Sequence, residues 1–147
     1  MGKRLSLVAI LLALDFLSKA IAFRELMSGG IVIIKNFFSL DLVFNTGVAW
    51  GLFDGHAGLW FAIRLLLIAG LIYFFWRRAS GWEGVFLSLV LAGALGNTLD
   101  YVLYGRVVDF FHFTFWGYSF PIFNVADSCV TLGAIGLILW PTRRQNG

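Results

Sequence analysis

Four apolar stretches dominate this sequence, and each is long enough to cross a bilayer as an α-helix. They run at about 5–23, 59–76, 84–104 and 123–140. Hydrophobic residues make up 60% of the chain and charged residues only 13%, and one domain of 147 residues cannot bury that much apolar surface within itself. The sequence therefore predicts a single all-α membrane domain over 1–147 with four transmembrane helices.

The first stretch has a second interpretation, a cleavable signal peptide, because basic residues precede it and small residues lie near its end. Asp15 and Lys19 count against that interpretation. They lie four residues apart and share one helix face, where their charges partly neutralise each other. Such a pair is either an ion pair between helices or part of a polar site, and this stretch leaves both open.

The segment between the first two stretches, 24–58, contains no spanning run. From about 29 to 53, β-branched and aromatic residues alternate with Gly and Asn breaks, which is typical of short antiparallel strands. We predict a small β-rich cradle here, between helices 1 and 2, on the membrane surface. Asn45, Thr46 and Gly47 read as a turn, although Asn45 could instead offer its amide to a substrate.

Basic residues near the ends of the stretches predict the orientation, because cytoplasmic loops carry the excess of Lys and Arg. The larger group is Lys3, Arg4, Arg77, Arg78, Arg143 and Arg144, against Arg24, Lys35 and Arg106 on the other side. Both termini are therefore predicted in the cytoplasm and the cradle at the outer face. The net charge of +3 arises from these scattered residues, which excludes a nucleic-acid-binding patch.

This orientation brings the acids and amides of the chain to the outer leaflet. A carboxylate at the centre of a membrane helix costs about 2.5–3.5 kcal/mol, so a cluster of them indicates a function. Asn97 and Asp100 end the third stretch, Asp109 lies in the loop at 105–122, and Asn124 and Asp127 open the fourth stretch.

Two carboxylates close together at a low-dielectric surface can share one proton. The ionised member can deprotonate a water, while the protonated member polarises a carbonyl and later donates to the leaving amine. Asp109 and Asp127 suit this aspartyl protease chemistry best because both lie at the membrane edge. Asp100 is expected to be a structural partner. The chemistry requires no metal and no cofactor.

Two alternatives remain open at this point. Asp109 and His112 have the spacing of a helical metal site, but the sequence shows no third or fourth ligand for it. A ring of carboxylates could also carry protons or cations through the membrane, since intramembrane acids often mark transport paths. The sequence chemistry alone does not separate a protease from a small four-span transporter.

Four blocks of the chain, taken together, resemble the bacterial lipoprotein signal peptidases (signal peptidase II). The blocks are DFLSK at 15–19, NTGVAWG at 45–51, GALGNTLD at 93–100 with GRVVDF at 105–110, and FPIFNVADS at 120–128. The resemblance implies a catalytic dyad of Asp109 and Asp127. It also implies a surrounding set that binds substrate or braces the site, namely Asp15, Lys19, Asn45, Gly47, Asn97, Asp100 and Asn124.

The same resemblance implies a substrate and a location. The substrate would be a prolipoprotein whose cysteine carries a diacylglyceryl group, cleaved on the amino side of that cysteine to release the signal peptide. The protein would lie in the bacterial cytoplasmic (inner) membrane, in contact with membrane lipid, with its active site at the outer face. No cofactor is expected, and inhibition by globomycin-type compounds is expected.

One position departs from the family pattern. The family usually has Arg directly after the aspartate that matches Asp100, and this chain has Tyr101. A phenol offers neither the charge nor the paired donors of a guanidinium. A catalytically weakened paralogue that binds lipidated peptides is therefore a further alternative. Arg106 is near enough in sequence to substitute, and Arg64 is expected to snorkel to the membrane interface.

Overall fold

The computed structural model describes residues 1–45, 57–78 and 80–140. Within these ranges the chain forms four helices and one four-stranded antiparallel sheet. The helices are α1 (Gly2–Leu26), α2 (Ala57–Arg78), α3 (Gly81–Tyr104) and α4 (Val125–Leu139). The strands are β1 (Ile31–Ile34), β2 (Phe38–Asn45), β3 (Val107–Phe115) and β4 (Tyr118–Ser119), and they lie side by side in that order.

Among the described residues, α1 and α3 are long and apolar enough to cross a membrane. The outward faces of the helices are also apolar. Leu66 on α2 is 73% exposed and Ile138 on α4 is 76% exposed. Apolar surface on this scale is unfavourable in water and indicates a lipid environment.

Helix α3 lies at the centre of the fold and packs against each of the other three helices. Small residues permit its close approach to α4, as the glycines in the third stretch predict. A Cβ atom added at Gly93 would collide with the carbonyl oxygen of Ala126 and lie 2.7 Å from a methyl group of Val130. One added at Gly96 would lie 2.6 Å from the Asp15 carboxylate. The glycines therefore bring α1, α3 and α4 together at one level.

Replacing Gly93 by leucine is expected to destabilise the fold by about 1–3 kcal/mol or more, because the backbone of α4 blocks the new side chain. Gly70, within α2, has open space around it and provides the matched control as Gly70→Leu. Thermal unfolding of the two variants in detergent measures the difference. Equal melting temperatures would contradict the close packing of α3 on α4.

The sheet corrects one part of the sequence interpretation. The β-rich segment predicted between α1 and α2 is present as β1 and β2 up to residue 45, and its remainder, 46–53, lies outside the described residues. The segment at 105–122, which reads as a loop, contributes β3 and β4. Gly105 ends α3 in the left-handed conformation, with φ of 68°, and this turns the chain directly into β3. The run VVDFFHFTF at 107–115 is rich in β-branched and aromatic residues and carries the signal for a strand.

Two buried apolar clusters flank the junction of helices and sheet. One lies between α1, α2 and α3 around Phe75, and the other joins α1 to the sheet around Phe110. Between these clusters lies a group of buried polar side chains, which comprises Asp15, Lys19, Asp100, Asp109 and Asn124. Charged groups buried so close together must pair with one another through ion pairs and hydrogen bonds.

Candidate active site

Lys19 is the centre of a buried cluster that joins α1 to α3. Its Nζ atom lies 2.7 Å from Asp15 Oδ2, 2.8 Å from Asp100 Oδ2 and 3.1 Å from Asn97 Oδ1. All three donors of the ammonium group therefore have an acceptor. The residues Asp15, Lys19 and Asp100 are only 3–4% exposed. Lys19 thus pairs with Asp15 within α1 and with Asp100 across to α3, and all three belong to a larger polar site.

The two carboxylates of this cluster also hold backbone groups. Asp15 Oδ1 accepts a hydrogen bond of 2.8 Å from the backbone N–H of Ala126, and Asp100 Oδ2 accepts one of 3.1 Å from that of Val108. These are the residues immediately before Asp127 and Asp109. The Lys19 cluster therefore anchors the backbone next to each candidate catalytic aspartate.

Asparagine side chains connect the cluster to Asp109 and Asp127. Asn97 Nδ2 donates to Asp127 Oδ1 at 2.7 Å, and Asn124 Nδ2 donates to Asp109 Oδ1 at 2.7 Å. Asn45, the last residue of β2, donates from Nδ2 to the other oxygen, Asp109 Oδ2, at 3.0 Å. Each carboxylate is thus oriented by at least one amide donor.

Asn124 contacts both aspartates because it is the N-cap of α4. Its side-chain oxygen accepts from the backbone N–H of Asp127 at 2.8 Å, and Asp127 Oδ2 accepts from the backbone N–H of Asn124 at 3.3 Å. This reciprocal capping box satisfies donors at the helix start. The same residue donates its amide to Asp109, so one cap fixes the relative position of β3 and the start of α4.

Asp109 is almost fully buried, with 1% of its surface exposed. The pKa of Asp109 is raised from 3.8 to about 6, chiefly by burial and also by the charge of Asp127, against the lowering effect of the hydrogen bond from Asn45. Asp127 is more exposed than Asp109. The two carboxylates therefore interact electrostatically but occupy different environments.

The pKa of Asp109 provides a test of this coupling. Asp127→Asn is expected to lower the pKa of Asp109 by removing a negative neighbour, and Asn45→Ala is expected to raise it by removing a donor to the ionised form. Infrared titration of the carboxylic C=O band, assigned by its loss in Asp109→Asn, measures both shifts. Shifts of the same sign in the two variants would contradict the assigned contacts.

The same pKa predicts how Asp109 affects stability. The value in the folded protein, about 6, lies above the ordinary value of 3.8. The folded state therefore binds this proton more tightly than the unfolded chain. The resulting stabilisation is complete below about pH 4 and is lost as the pH rises through 6.

Two cavities reach the two carboxylates from different sides. The cavity at Asp127, of about 380 Å³, lies between α2, α3 and α4 and is lined largely by apolar side chains together with Asn45, Arg64 and Asn97. The cavity at Asp109, of about 510 Å³, is lined by β2 residues and by the segment Ser119, Phe120, Pro121 and Ile122. Asn45 lines both cavities. A substrate that enters both would pass the two aspartates.

The structure joins eight of the nine site residues identified in the sequence into one continuous hydrogen-bonded network. They are Asp15, Lys19, Asn45, Asn97, Asp100, Asp109, Asn124 and Asp127. The ninth, Gly47, lies outside the described residues, as does most of the turn that begins at Asn45.

The alternative metal site at Asp109 and His112 is wrong in its local structure, because these residues lie on strand β3 and not on a helix. Residues three apart on a strand point to opposite faces. His112 instead bonds on the sheet, with Nδ1 2.7 Å from Asp41 Oδ2 and Nε2 2.7 Å from Ser119 Oγ. The Asp41–His112–Ser119 chain is a feature that the sequence patterns did not reveal.

Two arginines differ from their sequence interpretations. Arg106 stacks its guanidinium 4.1 Å above the ring of Phe44, whereas the sequence allows it to replace the missing family arginine. Arg64 is expected at the membrane interface, yet its Nη1 atom is buried and has no hydrogen-bond partner in the described part of the chain. Its guanidinium lies 4.9 Å from the ring centre of Tyr101. Arg64 lies within an apolar run of the sequence, and nothing in that run indicated that its Nη1 atom is buried.

Known proteins resemble this chain over nearly its full length. The family model described as Signal peptidase (SPase) II matches residues 7–142. A lipoprotein signal peptidase of Bacillus pumilus is 38% identical over 133 residues, which cover 88% of this chain and 86% of the relative. A lipoprotein signal peptidase of Burkholderia ambifaria is 39% identical over 148 aligned residues, which cover 97% of this chain and 88% of the relative.

Solved structures agree with this relationship. A structure described as a bacterial membrane enzyme, determined by the in meso method at 1.9 Å resolution, matches with a TM-score of 0.87 and 34% identity, covering 99% of this chain and 96% of the other. A second structure of that description, at 2.3 Å resolution, has a TM-score of 0.83 and 33% identity, covering 100% and 95%. This chain is a membrane protein that belongs to the signal peptidase II family of peptidases.

Proposed function

We propose that this protein is an aspartic endopeptidase that removes signal peptides from diacylglyceryl-modified prolipoproteins, cutting on the amino side of the lipidated cysteine. Asp109 and Asp127 are its catalytic dyad. The observation that carries this proposal is the contact of Asn124 with both carboxylates, through its amide to Asp109 and its backbone to Asp127. Because Asn124 bonds to both carboxylates, this contact supports a mechanism in which the two acids act on the same peptide bond.

The environments of the two acids assign them different roles. Asp109, with its raised pKa, is assigned the proton that the dyad shares when it acts. Asp127, which is more exposed, takes a proton from the attacking water. The water oxygen bonds to the scissile carbonyl carbon as Asp109 gives its proton to the carbonyl oxygen. Asp127 then passes its proton to the leaving nitrogen as the C–N bond breaks, and the carbonyl re-forms as Asp109 recovers its proton.

The remaining network residues position the dyad. Lys19, Asp15 and Asp100 hold the backbone before each catalytic aspartate, and Asn97 and Asn45 orient the carboxylate oxygens. Positioning of this kind keeps reacting groups within the narrow range of geometry that catalysis requires. We assign these residues to bracing the site, and Gly47 to substrate contact on the family resemblance.

The cavities suggest how a lipidated peptide binds. The cavity at Asp127 is lined by Leu67, Leu71, Val90 and Val130, among other residues, and suits acyl chains. The cavity at Asp109 lies beside strand β2 and suits an extended peptide backbone. The scissile bond then lies where the two meet, near Asn45. The mechanism uses only side chains of this protein and water, without a metal or a cofactor.

We further propose four transmembrane helices, with both termini in the cytoplasm and the dyad at the outer face of the inner membrane. The basic residues Arg77 and Arg78 lie at the end of α2 opposite the site, as expected for the cytoplasmic side. The site lies at the C-terminal half of α1, the last turns of α3 and the start of α4.

Incubation of the purified protein with a diacylglyceryl-modified precursor tests the function. The expected product is a mature chain that begins at the lipidated cysteine, identified by mass spectrometry, and a globomycin-type inhibitor is expected to suppress it. A weakened paralogue would bind this precursor without product. A transporter would show proton or cation flux in liposomes, and that result without peptide product would refute the proposal.

A further inference from the structure

Arg64 is a half-buried charged side chain that the proposed mechanism does not use. It lies on α2 and lines the cavity at Asp127 together with Asn97. Its Nη1 atom is buried and has no hydrogen-bond partner in the described residues. A buried donor left unsatisfied is costly, and more so when it is charged, so such a group in a cavity is typical of a site that a ligand completes.

Aromatic rings hold this guanidinium in place. Arg64 lies 4.9 Å from the centroid of the Tyr101 ring, and Tyr101 stacks on Phe61 at 5.7 Å between centroids. The cation–π contact fixes the plane of the guanidinium but satisfies none of its N–H groups. The free Nη1 donor is therefore held in position before any ligand arrives.

The charges in the cavity restrict what the donor binds. Arg64 disfavours a cation, and Asp127 in the same cavity disfavours an anion such as a phosphate. A neutral acceptor is compatible with both, and the surrounding side chains are mostly apolar. The chemistry that fits is a carbonyl oxygen on an otherwise apolar molecule.

We propose that Arg64 Nη1 donates a hydrogen bond to a carbonyl oxygen of the lipidated substrate and so holds the substrate beside Asp127. This inference rests on the proposed function and adds a substrate-binding residue to it. The family usually carries an arginine where this chain has Tyr101. Here the ring of Tyr101 supports a guanidinium that comes from α2, so the donor is present but arrives from another helix.

Arg64→Met is expected to raise KM for the lipidated precursor by about 10–100-fold, since a hydrogen bond from a charged group is lost, with a smaller change in kcat. Arg77→Met is the matched control, because Arg77 also lies near a tyrosine ring on α2 but is exposed and outside the cavity.

Tyr101→Arg in the Arg64→Met background provides a rescue. It places a guanidinium from α3 beside the position of the lost one and is expected to recover at least part of the lost affinity. A merely structural role for Arg64 would not be restored in this way. Normal thermal unfolding of Arg64→Met separates a binding defect from a folding defect.

Two precursors, one with ester-linked and one with ether-linked lipid chains, identify which carbonyl oxygen Arg64 contacts. A precursor with ether-linked lipid chains lacks the ester carbonyls, so an unchanged KM for Arg64→Met on this substrate assigns the contact to the lipid ester. A raised KM on both substrates assigns it to the peptide. KM within twofold of the parent on both substrates would overturn the inference, and the proposed function would stand if Asp127→Asn were inactive.

A binding measurement with the lipidated peptide tests the role of Arg64 even if the protein does not cleave the peptide. If the parent protein binds the peptide but does not cut it, the proposed function fails. A weaker Kd for Arg64→Met than for Arg77→Met then still supports the role of Arg64. Equal Kd values in the two variants would overturn it.

Discussion

Asp109→Asn and Asp127→Asn are each expected to reduce cleavage of a diacylglyceryl-modified precursor by at least about 10²–10⁴-fold. An amide at 109 has no proton to give to the carbonyl oxygen, and an amide at 127 cannot take one from water. Both substitutions keep the size of the side chain, so the surrounding network is largely retained. The measurement is the initial rate of product formation by purified, normally inserted protein.

Asp41→Asn is the control for these two variants. Asp41 lies on β2 and bonds to His112 and Ser39, away from the Asn124 contact, and its side chain is 36% exposed. Its loss is expected to leave cleavage close to the parental rate. Parental turnover by either Asp109→Asn or Asp127→Asn would show that the dyad assignment is wrong, whatever the family relationship.

The largest expected effect on stability comes from Lys19. Lys19→Met leaves the carboxylates of Asp15 and Asp100 buried without their shared cation, and breaking a buried ion pair from one side costs about 3–5 kcal/mol. The backbone before both aspartates of the dyad then loses its anchor. We expect a much lower melting temperature in detergent and little activity.

Two variants control the Lys19 result. Lys35→Met removes a lysine from an exposed turn and is expected to melt like the parent. Asp100→Asn combined with Lys19→Met removes one of the two stranded charges and is expected to recover part of the lost stability. Equal melting of Lys19→Met and Lys35→Met would mean that the buried cluster does not hold the helices together.

Much of the site followed from residue type and position along the chain. The glycines at 93 and 96 predicted close helix packing, which the structure confirms, and that packing brings Asp15 beside α3 and α4. The acids and amides were identified as candidate site residues because such side chains are rare in an apolar chain and because they lie in the family motifs. The structure places them in one network, while their catalytic roles stay a proposal that mutagenesis must test.

The strands β3 and β4 were harder to read. In the run at 107–115 the polar residues stand at 109, 112 and 114 and the first four positions are all buried, so the alternation that marks a half-buried strand is absent. The pairing of Val43 with Asp109 across β2 and β3 therefore had no local signal. That pairing brings Asn45 within 3.0 Å of Asp109 although 64 positions separate them.

The chain by itself determined the membrane class, the family and which acids are candidates for the dyad, because hydropathy and motif order are local properties of a sequence. Tertiary packing alone decided that Lys19 serves two carboxylates and that Asn124 contacts both members of the dyad. It also decided that Arg64 lines the cavity at Asp127. Burial and hydrogen bonding depend on which distant residues share the same space, and spacing along the chain does not report that.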